Sequence, residues 1–244
     1  MKAFLLALQF LTCLPLSLKA EPGPADWGRS ALAYPAIGLL IGFLLAGLQR
    51  LTGHADPLLQ AALLTAAWAL VTGGLHLDGL ADSADAWVGG HGDRARTLAI
   101  MKDPRSGPAA VSTVVLTLLL KFAALFVLAK ADAWPALLLA PVQGRSTLVA
   151  LLLSTPYVRP GGMGSALAVH LPRAAAVLVL LLVAAVAFAA GNAGALALAA
   201  AVAAGLFLRW LTMRRLGGMT GDTLGAAVEL TELAVLVALA LELS

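Results

Sequence analysis

The chain has 244 residues, 61% of them hydrophobic and 12% charged, with a formal net charge of +3 and a mean hydropathy of +0.93. A soluble domain carries about 25% charged residues, so the polar surface is too small to cover a water-soluble globule and much of the chain must face lipid. The charge is too small and too scattered for nucleic-acid binding, and the single Cys13 excludes an intrachain disulfide and a multi-cysteine metal site.

After Lys2, residues 3–18 are mostly apolar, but Gln9, Thr12, Cys13 and Pro15 interrupt them. No small-x-small cleavage site precedes the polar stretch from Lys19 to Arg29. The expectation is a retained, short interfacial or re-entrant helix. Seven later stretches suit transmembrane helices: 30–49, 58–75, 110–130, 135–154, 174–190, 194–208 and 225–243. Each is near the ~20 residues that cross a bilayer at 1.5 Å per residue. Backbone groups find no water in lipid, and the alternation of a barrel strand is absent, so the spans must be helices. The expected fold is all-α: a polytopic transmembrane helix bundle of about seven spans, in a single integral-membrane domain over 1–244, with no internal repeat.

Taking the loops alternately, one side receives 19–29, 76–109, 155–173 and 209–224. It holds Lys19, Arg29, Arg94, Arg96, Lys102, Arg105, Arg159, Arg173, Arg209, Arg214 and Arg215. The other side holds only Arg50 and Lys130. The positive-inside rule places the first set in the cytoplasm, and nearly all the polar motifs fall there too.

The second span runs into Thr72-Gly-Gly-Leu-His-Leu-Asp-Gly-Leu-Ala-Asp-Ser-Ala-Asp-Ala-Trp87. Asp78, Asp82 and Asp85 are spaced i, i+4, i+7, which puts three carboxylates on one helix face. Three adjacent negative charges repel unless a cation sits between them. Hard oxygen ligands without His or Cys partners favour Mg2+ or Mn2+ over zinc. His76 is near but on another register. The bland alternative is a solvated acidic face or charges favouring a helix dipole. The absence of interleaved Lys or Arg, the preceding Gly73-Gly74 and the place at a membrane surface favour a metal site.

Met101-Lys-Asp-Pro-Arg-Ser-Gly-Pro108 follows. Lys102 and Arg105 are natural phosphate ligands, although juxtamembrane cations alone are usually topology anchors. Beside a metal site they complete an apparatus for phosphoryl transfer. The last loop on this side reads Arg214-Arg-Leu-Gly-Gly-Met-Thr-Gly-Asp-Thr-Leu-Gly225. Its glycines let backbone approach a ligand, Thr220 or Asp222 can cap the final span, and Asp222 is a further candidate ligand. Lys121, Arg145, Glu229 and Glu232 lie within spans. Charges there are costly and normally face the bundle interior, paired or functional; Glu229 and Glu232 share a face and are expected to meet Arg145 or Lys121.

These segments, with Phe10-Leu-Thr-Cys-Leu-Pro15 and Gly144-Arg145, resemble the cobalamin synthase (adenosylcobinamide-GDP ribazoletransferase) family along essentially the whole chain. Gly-x-His-Leu-Asp-Gly-Leu-Ala-Asp followed in order by Thr-Gly-Asp-Thr-Leu-Gly-Ala is highly specific. Departures are Cys13 for a usual Arg, Ala86 for Gly and Pro104 for Ser; none removes a carboxylate. The resemblance implies a Mg2+-dependent enzyme of the bacterial inner membrane, its site facing the cytoplasm. It joins adenosylcobinamide-GDP to α-ribazole or its 5′-phosphate, giving adenosylcobalamin or its phosphate and GMP. Asp78, Asp82 and Asp85 would hold the metal and carry the catalysis, with Asp82, another of the aspartates or a water taking the hydroxyl proton. Substrate would be bound by His76, Lys102, Arg105, Arg145, Gly218, Thr220, Gly221, Asp222 and Glu229. Expected partners are the two substrates and the lipid bilayer, with a second copy of the chain or other cobalamin-pathway enzymes as further candidates.

Two rival readings fit the residues less well. A CDP-alcohol phosphotransferase also uses a membrane-surface Asp cluster, but its pattern continues with Arg after Ala and then Gly-x3-Asp-x3-Asp, which is absent here. A transporter would suit the charges within spans, yet the acids and glycines cluster on one face and no inverted repeat is visible.

Overall fold

The computed structural model describes residues 2–16 and 21–243, so Lys19 lies outside the described residues. They form twelve helices: α1 Lys2–Leu11, α2 Pro24–Ser30, α3 Tyr34–Leu51, α4 Pro57–Val71, α5 Leu75–Gly89, α6 Arg94–Ile100, α7 Pro108–Lys130, α8 Pro135–Ser154, α9 Gly162–His170, α10 Arg173–Ala189, α11 Gly191–Leu216 and α12 Gly221–Glu242. A 3-10 turn at Ala31–Ala33 joins α2 to α3. No strand occurs among the described residues; Tyr157 and Met219 make one isolated bridge.

The helix ends follow local chemistry. Proline opens α4, α7 and α8, where its missing N–H costs nothing. Asp56 accepts from Leu58 N at 2.8 Å and caps α4. Thr220 caps α12 through Thr223 N. Gly217, at φ +71°, closes α11 by donating to Met213 O.

The seven expected spans correspond to α3, α4, α7, α8, α10, α11 and α12. Five helical runs (24–51, α7, α8, α11 and α12) are long and apolar enough to cross a membrane alone. The chain is a multi-pass membrane protein. The other two expected spans are shorter than read: α4 has 15 residues and α10 has 17. Each meets a neighbour at a right angle, α4 with α5 at 87° and α9 with α10 at 90°. At the first corner Gly73 and Gly74 take φ +60° and +68°, a left-handed pair that non-glycine residues adopt at a cost. The expected span 58–75 therefore stops at Val71. Beyond the corner, α5 leaves the line of α4 and packs against α7 and the start of α12. The segment 155–173, read as a loop, contains α9, and α1 is a 10-residue helix.

α8 and α12 form the centre, with α3 packed along α8. Within their most apolar stretches 72% of α8 and 67% of α12 is buried, against 28% for α7 and 22% for α11. The charged residues within spans sit where these central helices meet α7. Lys121 Nζ lies 2.6 Å from both Glu229 Oε2 and Glu232 Oε2, and Arg145 pairs with Glu232. Lys121 also stands 4.9 Å from the Trp68 ring centroid on α4. The expected meeting of two cations and two anions is observed, and it ties α4, α7, α8 and α12 together.

Candidate active site

The site is built where α5 crosses the start of α12. Gly79 lies so close to α12 that a Cβ there would stand 2.7 Å from Asp222 O, and a Cβ at Gly225 would stand 3.4 Å from the His76 backbone. Glycine at both contacts lets the two helices pass nearly backbone to backbone. The close crossing brings the aspartates of α5 to the one at the head of α12. Asp78, His76, Tyr157 and Asp222 line a cleft of about 260 Å³ at this crossing.

Arg159, in the segment between α8 and α9, reaches into the acidic group. Its Nη1 is 2.6 Å from Asp222 Oδ2, and the two side chains are 22% and 21% exposed. Arg159 Nε and Nη2 are buried without a hydrogen-bond partner among the described residues. The segment is held in place by Val158 N donating to Met219 O at 2.9 Å and Met219 N donating to Pro156 O at 2.8 Å. Burial, then the charges of Asp78 and Asp222, push the Asp82 carboxyl up to about 6; Arg159 opposes this and Asp85 adds to it. Four carboxylates thus share one field with a single guanidinium among them.

The structure distributes the expected site residues unevenly. Asp78, Asp82, Asp222 and His76 come together, His76 being 2% exposed with neither ring nitrogen partnered. Asp85 shares the acidic face but is engaged elsewhere: its carboxylate accepts from Gly107 N and from Ala110 N, the latter at 2.9 Å. It caps α7 from a distance and pins the 101–107 segment against α5. Arg105, expected to clamp phosphate, is turned to solvent with a side chain 86% exposed. Both sides of its fork are taken by Asp103, Nε to Oδ1 at 2.9 Å and Nη2 to Oδ2 at 2.6 Å, which drives the Asp103 carboxyl down to about 2. Lys102 is exposed nearby. Arg145 and Glu229 depart from expectation most: at 0% and 3% exposure they belong to the buried charge cluster and do not line the cleft. Gly218 packs under Pro156 O, Thr220 caps α12, and Gly221 lines the cleft opposite the Tyr157 hydroxyl.

Sequence reasoning treated Arg159 only as a topology cation and did not single out Tyr157. Their signal was slight: a cation and a phenol in a short segment bounded by Pro156 and Pro160.

The donor set suits a hard divalent cation: oxygen ligands, more negative charge than Arg159 offsets, and an Asp82 carboxyl raised first by burial and then by its acidic neighbours. The arrangement is open. Among the described residues no three His, Cys, Asp or Glu side chains are disposed as a formed metal cage.

Fold and site together define a multi-pass helical membrane protein with an acidic cleft, one wall residue of which, Asp222, is paired with Arg159. The chain belongs to the cobalamin-5-phosphate synthase family, whose model matches residues 3–240. It is similar to proteins described as adenosylcobinamide-GDP ribazoletransferase. That of Stutzerimonas stutzeri (strain A1501) is 58% identical over 242 residues, 99% of each chain. That of Pseudomonas putida (strain GB-1) is 58% identical over 243 residues, 100% of each. That of Pseudomonas syringae pv. syringae (strain B728a) is 57% identical over 242 residues, 99% of this chain and 100% of the other. No solved structure matches the chain.

Proposed function

We propose that the chain is an adenosylcobinamide-GDP ribazoletransferase, joining adenosylcobinamide-GDP to α-ribazole or its 5′-phosphate with release of GMP. The observation that carries the reading is the cluster of Asp78, Asp82 and Asp222, with Arg159 paired to Asp222 in the cleft wall and keeping two donors without partners among the described residues.

The ribazole hydroxyl attacks the phosphorus on the cobinamide side of the diphosphate. A P–O bond to ribazole forms and the bond to GMP breaks. Arg159 receives the diphosphate through Nε and Nη2, the planar fork that matches phosphate oxygens. Asp82, set among Asp78, Asp85 and Asp222, takes the hydroxyl proton; even without a cation its carboxyl, near 6, is ionised at neutral pH. Mg2+ would be held by Asp78, Asp82 and Asp222, with Asp85 beside them fixing α7; when bound it supplies positive charge against the diphosphate. The cleft is smaller than the roughly 300–1,000 Å³ of drug-sized ligand pockets, so it takes the diphosphate end of the substrate and leaves the corrin ring outside. The distribution of Lys and Arg supports a cleft facing the cytoplasm, and helical spans in a chain so similar to Pseudomonas proteins support the inner membrane of a bacterium.

The test is GMP release by purified, detergent-solubilised protein given adenosylcobinamide-GDP, α-ribazole and Mg2+. Release that requires both substrates and stops with EDTA or with Asp82→Asn supports the reading. No release from a folded protein overturns it and directs the assay to CDP-activated alcohols.

A further inference from the structure

A second cavity, of about 280 Å³, lies away from the cleft, between α8, α10 and α11. Its walls are apolar and set back by small residues, Ala150 on α8, Ala184 on α10, and Ala201 and Gly205 on α11. Along α8 it extends from Gln143 to Ser154, about 17 Å at 1.5 Å per residue. That is close to one leaflet of a hydrocarbon core about 30 Å thick. The outer surfaces beside it carry Leu178, Leu182 and Leu206 at 67%, 65% and 62% exposure, which only lipid covers comfortably in a multi-pass protein.

At the end of the groove nearest the cleft side, two guanidiniums converge on adjacent carbonyls of α8. Arg209 donates from Nε and Nη2 to Ser154 O at 3.2 and 3.0 Å, and Arg173 donates from Nη2 to Leu153 O at 2.6 Å. The negative end of the α8 dipole favours two cations there. Each guanidinium has five N–H donors, so both keep donors to spare, and neither forms an ion pair among the described residues. Two guanidiniums with donors to spare, at the end of an apolar slot one leaflet deep, are complementary to a molecule with a phosphate at one end and a hydrocarbon chain at the other.

We propose that the groove between α8, α10 and α11 binds an anionic phospholipid, its acyl chain along α8 and its phosphate on Arg173 and Arg209. Arginines that merely anchor topology would attract any negative surface and would not prefer one lipid per chain.

The test is native mass spectrometry of the delipidated full-length protein offered phosphatidylglycerol and phosphatidylcholine in equal amounts. One retained phosphatidylglycerol per chain, favoured at least tenfold, is the expected result. Arg173→Gln with Arg209→Gln should abolish the preference, and Gly205→Leu should block retention by filling the slot while leaving both cations. Arg29→Gln with Arg96→Gln, an equal loss of charge on the same side, should leave it intact. Equal retention of the two lipids by the unaltered protein, no retained lipid, or the same loss from the Arg29/Arg96 variant overturns the proposal; the first two require no variant to fold.

Discussion

Gly79 of α5 rests on the backbone of Asp222 at the head of α12, with no room between them for a methyl group. This contact, rather than any bond between side chains, sets the distance between the aspartates of α5 and Asp222. Gly79→Ala should therefore raise the intrinsic helix preference of α5 yet lower GMP release by about 100-fold, the size of effect that a displacement near 1 Å produces at a reacting centre. Steady-state kcat of the inserted variant is the measurement. Unchanged kcat would show that the crossing is not what assembles the site.

Asp85 and Asp78 lie on one helix face but should respond differently to loss of charge. Asp85 accepts from two backbone donors at the start of α7. Asp85→Asn turns an amide toward one of them and should cost about 1–3 kcal/mol of stability. Among the described residues Asp78 accepts no such bond, and it faces carboxylates, so Asp78→Asn should abolish turnover without loss of stability. Thermal midpoints in detergent, read beside GMP release, separate the two. Equal destabilisation by both variants would refute the distinction.

The contrast shows how far the sequence could be read. Asp78, Asp82 and Asp85 were legible as one face because helical periodicity is a local property. Spacing does not say which acceptors are already taken, and the partners of Asp85 come from 22 and 25 residues away. Arg105 looked like a phosphate clamp by nearness in sequence, but its neighbour Asp103 occupies it. Arg159 was passed over because it gains its meaning from Asp222, across a contact that only the folded bundle makes. The spans were visible from hydropathy, whereas the right-angle turn at Gly73-Gly74 shortened one of them, since two glycines can continue a pattern or break it. The pairing of Lys121 and Arg145 with Glu229 and Glu232 was foreseeable from the cost of charge in lipid; that it would remove Arg145 and Glu229 from the substrate's reach was not.

That buried cluster makes its own prediction. Among the described residues, Lys121 alone forms ion pairs with both glutamates. Lys121→Met should leave Glu229 without its ion pair, with only the field of Arg145 to offset it, and cost about 3–5 kcal/mol, as removing one member of a buried pair does. Adding Glu229→Gln removes the orphaned charge and should restore much of the loss. Unfolding of both variants in mixed micelles provides the comparison. A Lys121→Met protein as stable as the parent would mean that the glutamates are not held as charges.

The elevated Asp82 carboxyl gives a pH dependence whose sign is fixed. In the unfolded chain this group titrates near 3.8, and in the fold near 6, raised first by burial and then by Asp78 and Asp222. Between those values the folded protein holds a proton that the unfolded chain has already released. With metal chelated, the stability that this group contributes is therefore present below the unfolded value and lost as pH rises toward 6. The thermal midpoint in EDTA should fall across this window, and Asp82→Asn should flatten the slope. Asp78→Asn should shift the window to lower pH, because it removes the largest like charge acting on Asp82. A slope that survives Asp82→Asn unchanged would assign it to another group and would separate Asp82 from the acidic cluster on which the proposed chemistry depends.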